Sequence, residues 1–360
     1  MIIDRIRISN FRGIKESEVE SLKRVNVFFG KNNCGKSSLL ESIFLLSGLS
    51  NPLLPIRINQ FREYANLRDE DLNLNFYNLQ TSEPISIQGF KDGESRRELK
   101  ITKFTSRSKT IDISKLTEQN SNDIANLFYG YKLSFTVDGS NPYNAEFVLS
   151  ENDSESKENE KNVTAKINQD KRYTEQVTAK ILLPNSTFQS NFDSLKNMIT
   201  NKQADQLVEA LSKVDSRIKS IDIVEKDVMV DIGLPSLLPI NVMGDGVRKL
   251  LSIIVSINEC KDGILIIDEI DNGLHFSTMK NLWRSIFTQT KRNNVQMFIS
   301  THSIDLIREL TSVLSEEEYA DHQSEVISHK LLHTEDGTLH ALAYDYEKLS
   351  FAIEQEIEPR

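Results

Sequence analysis

The sequence predicts an α/β fold built on a parallel sheet with a phosphate-binding loop, and three observations predict it. Gly30-Lys31-Asn32-Asn33-Cys34-Gly35-Lys36-Ser37 fits every fixed position of G-x-x-x-x-G-K-[ST]. Gly263-Ile264-Leu265-Ile266-Ile267-Asp268-Glu269 is an unbroken apolar run ending in two acids, as in a strand buried on both faces of a parallel sheet. Val295-Gln296-Met297-Phe298-Ile299-Ser300-Thr301-His302-Ser303 is a second such strand, ending in a histidine.

The elements follow in order. Ile2, Ile6 and Ile8, the turn Asn10-Phe11-Arg12-Gly13, and then Val19 read as alternating strands. Arg24-Val25-Asn26-Val27-Phe28-Phe29 is β-branched and aromatic and reads as a buried strand. Ser38 to Leu46 opens a helix, which the segment Asn51-Pro52 through Pro55 is expected to end. From about 84 the pattern changes to short alternating runs, such as Pro84-Ile85-Ser86-Ile87, Leu99-Lys100-Ile101-Thr102 and Tyr131-Lys132-Leu133-Ser134-Phe135. These predict antiparallel strands with one wet face. The polar stretch 151–160 predicts a mobile loop or exposed hairpin tip. Leu207, Ala210, Leu211 and Val214 stand at helical spacing, and strands are expected at Ser220–Val224 and Asp227–Ile232. Leu250, Leu251, Ile254 and Ile257 form the stripe of a helix that begins after Met243-Gly244-Asp245-Gly246, and Tyr344 to Arg360 reads as a closing helix. The expected division is 1–83 as the first part of the head, 84–194 as a β-rich accessory lobe, and 195–360 as the rest of the head. No internal repeat or long heptad array is evident.

Chemistry follows from these placements. The glycines let loop N–H groups curl around phosphate oxygens, and the helix N-terminus adds partial positive charge. Lys36 is expected at the β- and γ-phosphates, and the Ser37 hydroxyl on Mg²⁺. Strand carboxyl ends are where ligands bind in such sheets, which places Asp268 at the metal and Glu269 at the attacking water. His302 ends at the same sheet edge and is expected to contact the γ-phosphate or the water. Cys34 reads as a small filler within the loop.

Composition bounds the partners. With 38% hydrophobic and 27% charged residues the chain has a globular composition, and no apolar run reaches the about 18–20 residues that span a bilayer. The N-terminus shows no export signal and only Cys34 and Cys260 are present, so a cytoplasmic protein without disulfides or membrane contact is expected. The formal net charge of −10 argues against broad coating of nucleic acid. The segment Arg96 to Lys109 nevertheless holds six basic residues and one acid, either a DNA-phosphate contact or the solvated face of a strand.

The order of phosphate loop, glycine-rich helix start, Ile-Ile-Asp-Glu and Ser-Thr-His-Ser resembles the ATP-binding-cassette (ABC) class of ATPase heads. Within that class, Asn10-Phe11-Arg12-Gly13, the loop Gly30–Ser37, Met243-Gly244-Asp245-Gly246 and Asp268-Glu269-Ile270-Asp271-Asn272-Gly273-Leu274-His275 resemble the overcoming-lysogenization-defect (OLD) ATPases. The resemblance covers roughly 1–90 and 195–360. It implies an ABC-type head with a mixed sheet and an antiparallel accessory lobe, using ATP and Mg²⁺. Two heads would pair face to face, each Met243–Gly246 segment completing the site formed by Gly30–Ser38, Asp268, Glu269 and His302 of the other. It further implies a nucleotide contact for Arg12 and offers Gln60 as the glutamine linking Mg²⁺ to the accessory lobe. Transporter heads have serine where this chain has Gly244, which removes one hydroxyl contact to the partner's γ-phosphate. OLD proteins often carry a Toprim nuclease domain, for which about 60 residues after His302 leave no room. The expectation is therefore an ATPase, a homodimer or higher homo-oligomer, that gates a separate effector (a nuclease or toxin) in defence against phage or plasmids. The alternatives are a DNA-repair or DNA-tethering head and an ATP-binding scaffold with little turnover.

Overall fold

The computed structural model describes residues 2–64, 66–109, 125–151, 163–184 and 192–355. Strands β1 (Arg5–Phe11), β2 (Ile14–Val19) and β3 (Val25–Phe29) precede helix α1 (Lys36–Ser47) and the short α2 (Leu54–Gln60). Then come β4 (Ile85–Lys91), β5 (Glu94–Lys109), β6 (Ala125–Val137), β7 (Tyr143–Glu151), β8 (Val163–Gln169) and β9 (Ala179–Leu182). Helices α3 (Phe192–Thr200) and α4 (Ala204–Ser212) lead to β10 (Ser220–Val224), β11 (Asp227–Asp231) and β12 (Leu238–Pro239). The chain continues through α5 (Asp245–Glu259), β13 (Ile264–Ile267), α6 (Phe276–Asn293), β14 (Gln296–Thr301) and α7 (Ile304–Leu314). It closes with β15 (Val326–His333), β16 (Thr338–Tyr344) and α8 (Tyr346–Glu354).

Among the described residues thirteen strands form one mixed sheet in the order β8-β7-β6-β5-β4-β1-β2-β16-β15-β3-β14-β13-β9, while β10-β11-β12 form a small antiparallel sheet. The strands β15, β3, β14, β13 and β9 run parallel, and the run from β2 to β8 is antiparallel. Period-two alternation divides the core in two. Val25, Val27, Phe29, Leu265, Ile267, Met297 and Ile299 face the layer of α3 to α8. Phe28, Ile264, Ile266 and Phe298 face α1 on the other side. Helix α1 touches β9 and β13 near one end of the strand order and β1, β4 and β5 farther along it, so the sheet curls around this helix. That explains why α1 is buried nearly all round instead of showing one apolar stripe.

Some expectations need correction or precision. Prolines do not end α1; it stops at Ser47 before Gly48, and Pro55 sits in the first turn of α2, where its missing N–H costs no helical bond. Most of the expected polar loop, from residue 152 on, lies outside the described residues. The basic run on β5 is not one solvated face. Arg97 is 5% exposed and donates to the Leu46 and Ser47 carbonyls and to Glu175, and Lys103 is held by Asp69 and Asn73. Among the described residues no helix is long and apolar enough to cross a membrane.

Candidate functional site

The carboxyl ends of β3, β14 and β13 lie side by side, because β14 pairs in parallel with both others. The phosphate loop, His302 and the Asp268-Glu269 pair therefore meet at one sheet edge, with neighbouring strands about 4.8 Å apart. A cavity of about 840 Å³ opens there. Asn32, Asn33, Gly35, Lys36, Ser37 and Ser38 line it together with Arg12, Glu269 and His302. Gly30, Lys31, Cys34 and Asp268 sit in the same loop and strand end without lining it. Gln60 is exposed at the end of α2 and does not line it, nor do Met243, Gly244, Asp245 and Gly246, which open α5.

Two glycines are required by the loop. At Gly30 a Cβ would lie 2.7 Å from the Leu331 carbonyl oxygen, and Gly35 caps α1 with φ 95°, a left-handed backbone that side chains resist. The Lys36 ammonium donates to the Gly30 and Lys31 carbonyls at 3.0 and 2.8 Å, and Cys34 Sγ lies 3.7 Å from it. These loop carbonyls hold the cation at the cavity floor, a charge suited to phosphate oxygens.

One serine, which no motif marks, organises the acidic pair. The buried Ser300 hydroxyl donates to Asp268 Oδ1 and accepts the Glu269 N–H at 2.8 Å. Glu269 has φ 49°, an uncommon backbone for a non-glycine residue that turns its side chain toward the cavity wall. Its Oε1 lies 3.3 Å from His302 Nε2. Asp271 holds the other side of that histidine, accepting from the Thr301 hydroxyl at 2.6 Å and the His302 N–H at 3.3 Å. Lys249 on α5 feels the same acids: burial lowers its pKa, opposed by the charges of Asp271 and Glu269.

The opposite wall was less legible. Arg12 has φ 50°, places Nε 2.6 Å from the buried Glu41, and donates to the Ile58 carbonyl and Asn59 Oδ1. Burial pulls its guanidinium down to about 10 against the Glu41 charge. Arg62 binds the same carboxylate with Nε at 2.9 Å. Leu74, Phe76, Asn78 and Leu79 roof the cavity, and His333 Nε2 donates to the Gly13 carbonyl at 2.7 Å beside it. None of these except Arg12 belongs to a recognisable motif: Glu41 comes from α1, Arg62 and Leu74–Leu79 from the chain after α2, and His333 from the end of β15.

The donor set fits a hard divalent cation. Asp268 is 9% exposed, with Oδ1 taken by Ser300 and Oδ2 bonded to no protein group among the described residues, and the Ser37 hydroxyl is half-buried. Among the described residues no three His, Cys, Asp or Glu gather into a cage. That agrees with Mg²⁺, which usually keeps one or two protein oxygens and completes its shell with phosphate and water.

Comparison with known proteins bears on the fold and the family. The profile of the AAA ATPase domain matches residues 1–307. An ATP/GTP phosphatase of Helicobacter pylori is 27% identical over 384 residues, covering 99% of each chain. The DNA replication and repair protein RecF of Shewanella piezotolerans is 27% identical over 130 residues, 33% of this chain and 34% of that protein. Among solved structures, an Smc head bound to the C-terminal winged-helix domain of ScpA superposes with a TM-score of 0.50 at 12% identity, over 97% of this chain and 99% of that one. The fold is thus an α/β P-loop ATPase head similar to the Smc head.

Proposed function

This chain belongs to the AAA ATPase domain family, and we propose that it is a Mg²⁺-dependent ATPase that cleaves the γ-phosphate in the cavity above Gly30–Ser38. The observation that carries this reading is the Glu269–His302 pair, set in the wall of the same cavity that holds Lys36. Lys36 and the loop N–H groups bind the phosphates, and Ser37 and Asp268 hold the metal. Bound Mg²⁺ supplies charge neutralisation on the phosphate oxygens. Glu269 orients and deprotonates the attacking water, and His302 fixes its carboxylate.

Met243–Gly246 does not line its own cavity, and a Cβ at Gly244 would meet nothing within 4 Å. Beside it Val242 and Phe276 are each 65% exposed. These features support a second ATP-bound copy, met face to face, whose γ-phosphate the α5 N-terminus would approach. The motif resemblance to OLD ATPases supports the wider role: an ATPase that gates a separate nuclease or toxin in defence against phage or plasmids.

The test is phosphate release by wild type and Glu269→Gln. Turnover falls at least 100-fold, the scale of general-base loss, while ATP binding persists and a stable ATP-bound dimer accumulates. Unchanged turnover refutes the assignment, and a wild type that binds ATP without turnover favours the scaffold reading. A DNA-tethering head is a second reading, favoured by the partial likeness to RecF. Arg97 is buried, Lys103 is paired with Asp69 and Arg96 with Glu94 and Asp138, so among the described side chains of that run the exposed Lys100 is the unpaired candidate contact, and an ATP-dependent DNA shift lost in an Arg96→Ala/Lys100→Ala variant would establish the reading.

A further inference from the structure

Arg62 stands where the sequence suggested a metal-binding glutamine two residues earlier, and a guanidinium does a different job. It has five N–H donors and no lone pair, so it cannot ligate Mg²⁺ but matches phosphate oxygens well. Its side chain is 45% exposed and reaches the cavity, with Nη2 3.5 Å from Ser38 Oγ, beside the metal-binding Ser37. Burial disfavours its charge, but the Glu41 bond and charge, followed by the Asp268 charge, hold its pKa above the ordinary value. Arg62 therefore sits within the field of the phosphate and metal groups.

Its anchor is shared unequally. Glu41 is 6% exposed and bridges two arginines. Arg12, 9% exposed, is also held by the Ile58 carbonyl and Asn59, whereas among the described residues Arg62 bonds Glu41 and makes the long Ser38 contact. If Arg62 leaves, Glu41 keeps Arg12 at 2.6 Å, and no buried carboxylate is stranded. Arg12 is the fixed member of this triad and Arg62 the movable one.

We propose that Arg62 is a catalytic residue that swings from Glu41 onto the γ-phosphate of the nucleotide bound in its own cavity. The inference rests on the ATPase reading above. Water oxygen attacks the γ-phosphorus, the bond to the β-phosphate bridging oxygen breaks with its electron pair leaving on ADP, and the water proton passes to Glu269. Arg62 donates to the γ-phosphoryl oxygens where charge shifts, without accepting or giving a proton. It acts in cis, so it contributes in each head without help from a partner subunit.

The experiment measures single-turnover ATP hydrolysis, together with calorimetric binding of Mg-ADP and a Mg-bound non-hydrolysable ATP analogue, for wild type, Arg62→Ala and Arg62→Lys. The expected result for Arg62→Ala is a hydrolysis rate reduced on the order of 10²-fold, as for loss of one charge-stabilising donor. Its analogue affinity falls several-fold while ADP affinity stays within threefold, and Arg62→Lys recovers part of the rate. An unchanged rate overturns the proposal. So does an equal loss for ADP and analogue, which marks a structural role, or a rate loss that Arg62→Lys leaves untouched while thermal unfolding of both variants falls together. A wild type that binds neither nucleotide refutes the ATPase reading instead, and the two failures are distinct.

Discussion

Double-mutant cycles around Glu41 test the unequal triad directly. Both arginines contact one carboxylate at similar distances, 2.6 and 2.9 Å, so distance alone predicts equal couplings. Burial predicts otherwise. Arg12 and Glu41 are 9% and 6% exposed, and breaking such a buried pair from one side costs about 3–5 kcal/mol. Arg62 is 45% exposed, so solvent screening reduces its coupling to roughly 0–1 kcal/mol. Cycles with Glu41→Ala against Arg12→Ala and against Arg62→Ala cancel the other bonds each arginine makes and leave the two pair terms. Urea unfolding followed by the single tryptophan suits the measurement, because Trp283 is fully buried in α6, in the core on the face of the sheet opposite α1. The Arg12–Glu41 coupling should exceed the Arg62–Glu41 coupling by at least about 2 kcal/mol, the gap between those two ranges. Equal couplings, or a larger one for Arg62, would refute the argument from burial.

His329 is fully buried against Phe28, and burial, opposed by its bond to the Glu20 carbonyl, lowers its pKa from 6.5 to about 4. The unfolded chain then binds the extra proton between these values, so stability rises with pH across about 4 to 6.5. His329→Phe should flatten that limb by about 3 kcal/mol relative to wild type, read by urea unfolding at each pH; an identical slope refutes the assignment. Gly244→Ser should fold normally, since φ −59° and ψ 151° suit any residue and the Cβ space is open. In a Glu269→Gln background it should prolong the ATP-bound dimer, measured by size exclusion, and a shortened lifetime would argue against a second copy's phosphate lying there. Chelating Mg²⁺ should leave nucleotide-free thermal unfolding unchanged, because no protein cage holds metal among the described residues, yet remove most of the ATP-induced stabilisation.

The half of the site contributed by strand ends was legible because each piece has its own local signature. An apolar strand followed by Asp268-Glu269, another followed by His302, and a glycine-framed loop before α1 all end at one edge once the strands run parallel. Alternation likewise marked β4, β5 and β6. What alternation could not report is the partner of each strand. The strands from 85 to 169 extend the edge beyond β1, whereas β9 crosses to the far edge beside β13, a long-range pairing that no local period encodes. The prolines after α1 misled for a related reason: proline tolerates a first helical turn as readily as it stops a last one, and only the position of α2 decides between them.

Glu41, Arg62 and Ser300 were illegible for a deeper reason, which also bears on how the site works. On sequence alone Glu41 is the one acid of a largely apolar helix, where solvent exposure is the natural reading, and Arg62 belongs to a connector with no periodicity. The sheet curls around α1, so the Glu41 carboxylate is buried and is met by cations from other elements. Arg12 supplies one from the β1–β2 turn and Arg62 another from beyond α2. Curling therefore does more than bury apolar surface: it brings two arginines to a cavity that the loop motif alone would leave with Lys36 as its marked cation. Ser300 has the same origin, since a strand serine becomes a bridge between Asp268 and Glu269 only when β14 lies beside β13. On the proposed reading the motif residues mark where phosphate would bind, and the packing around α1 and β14 supplies the groups that hold them in position.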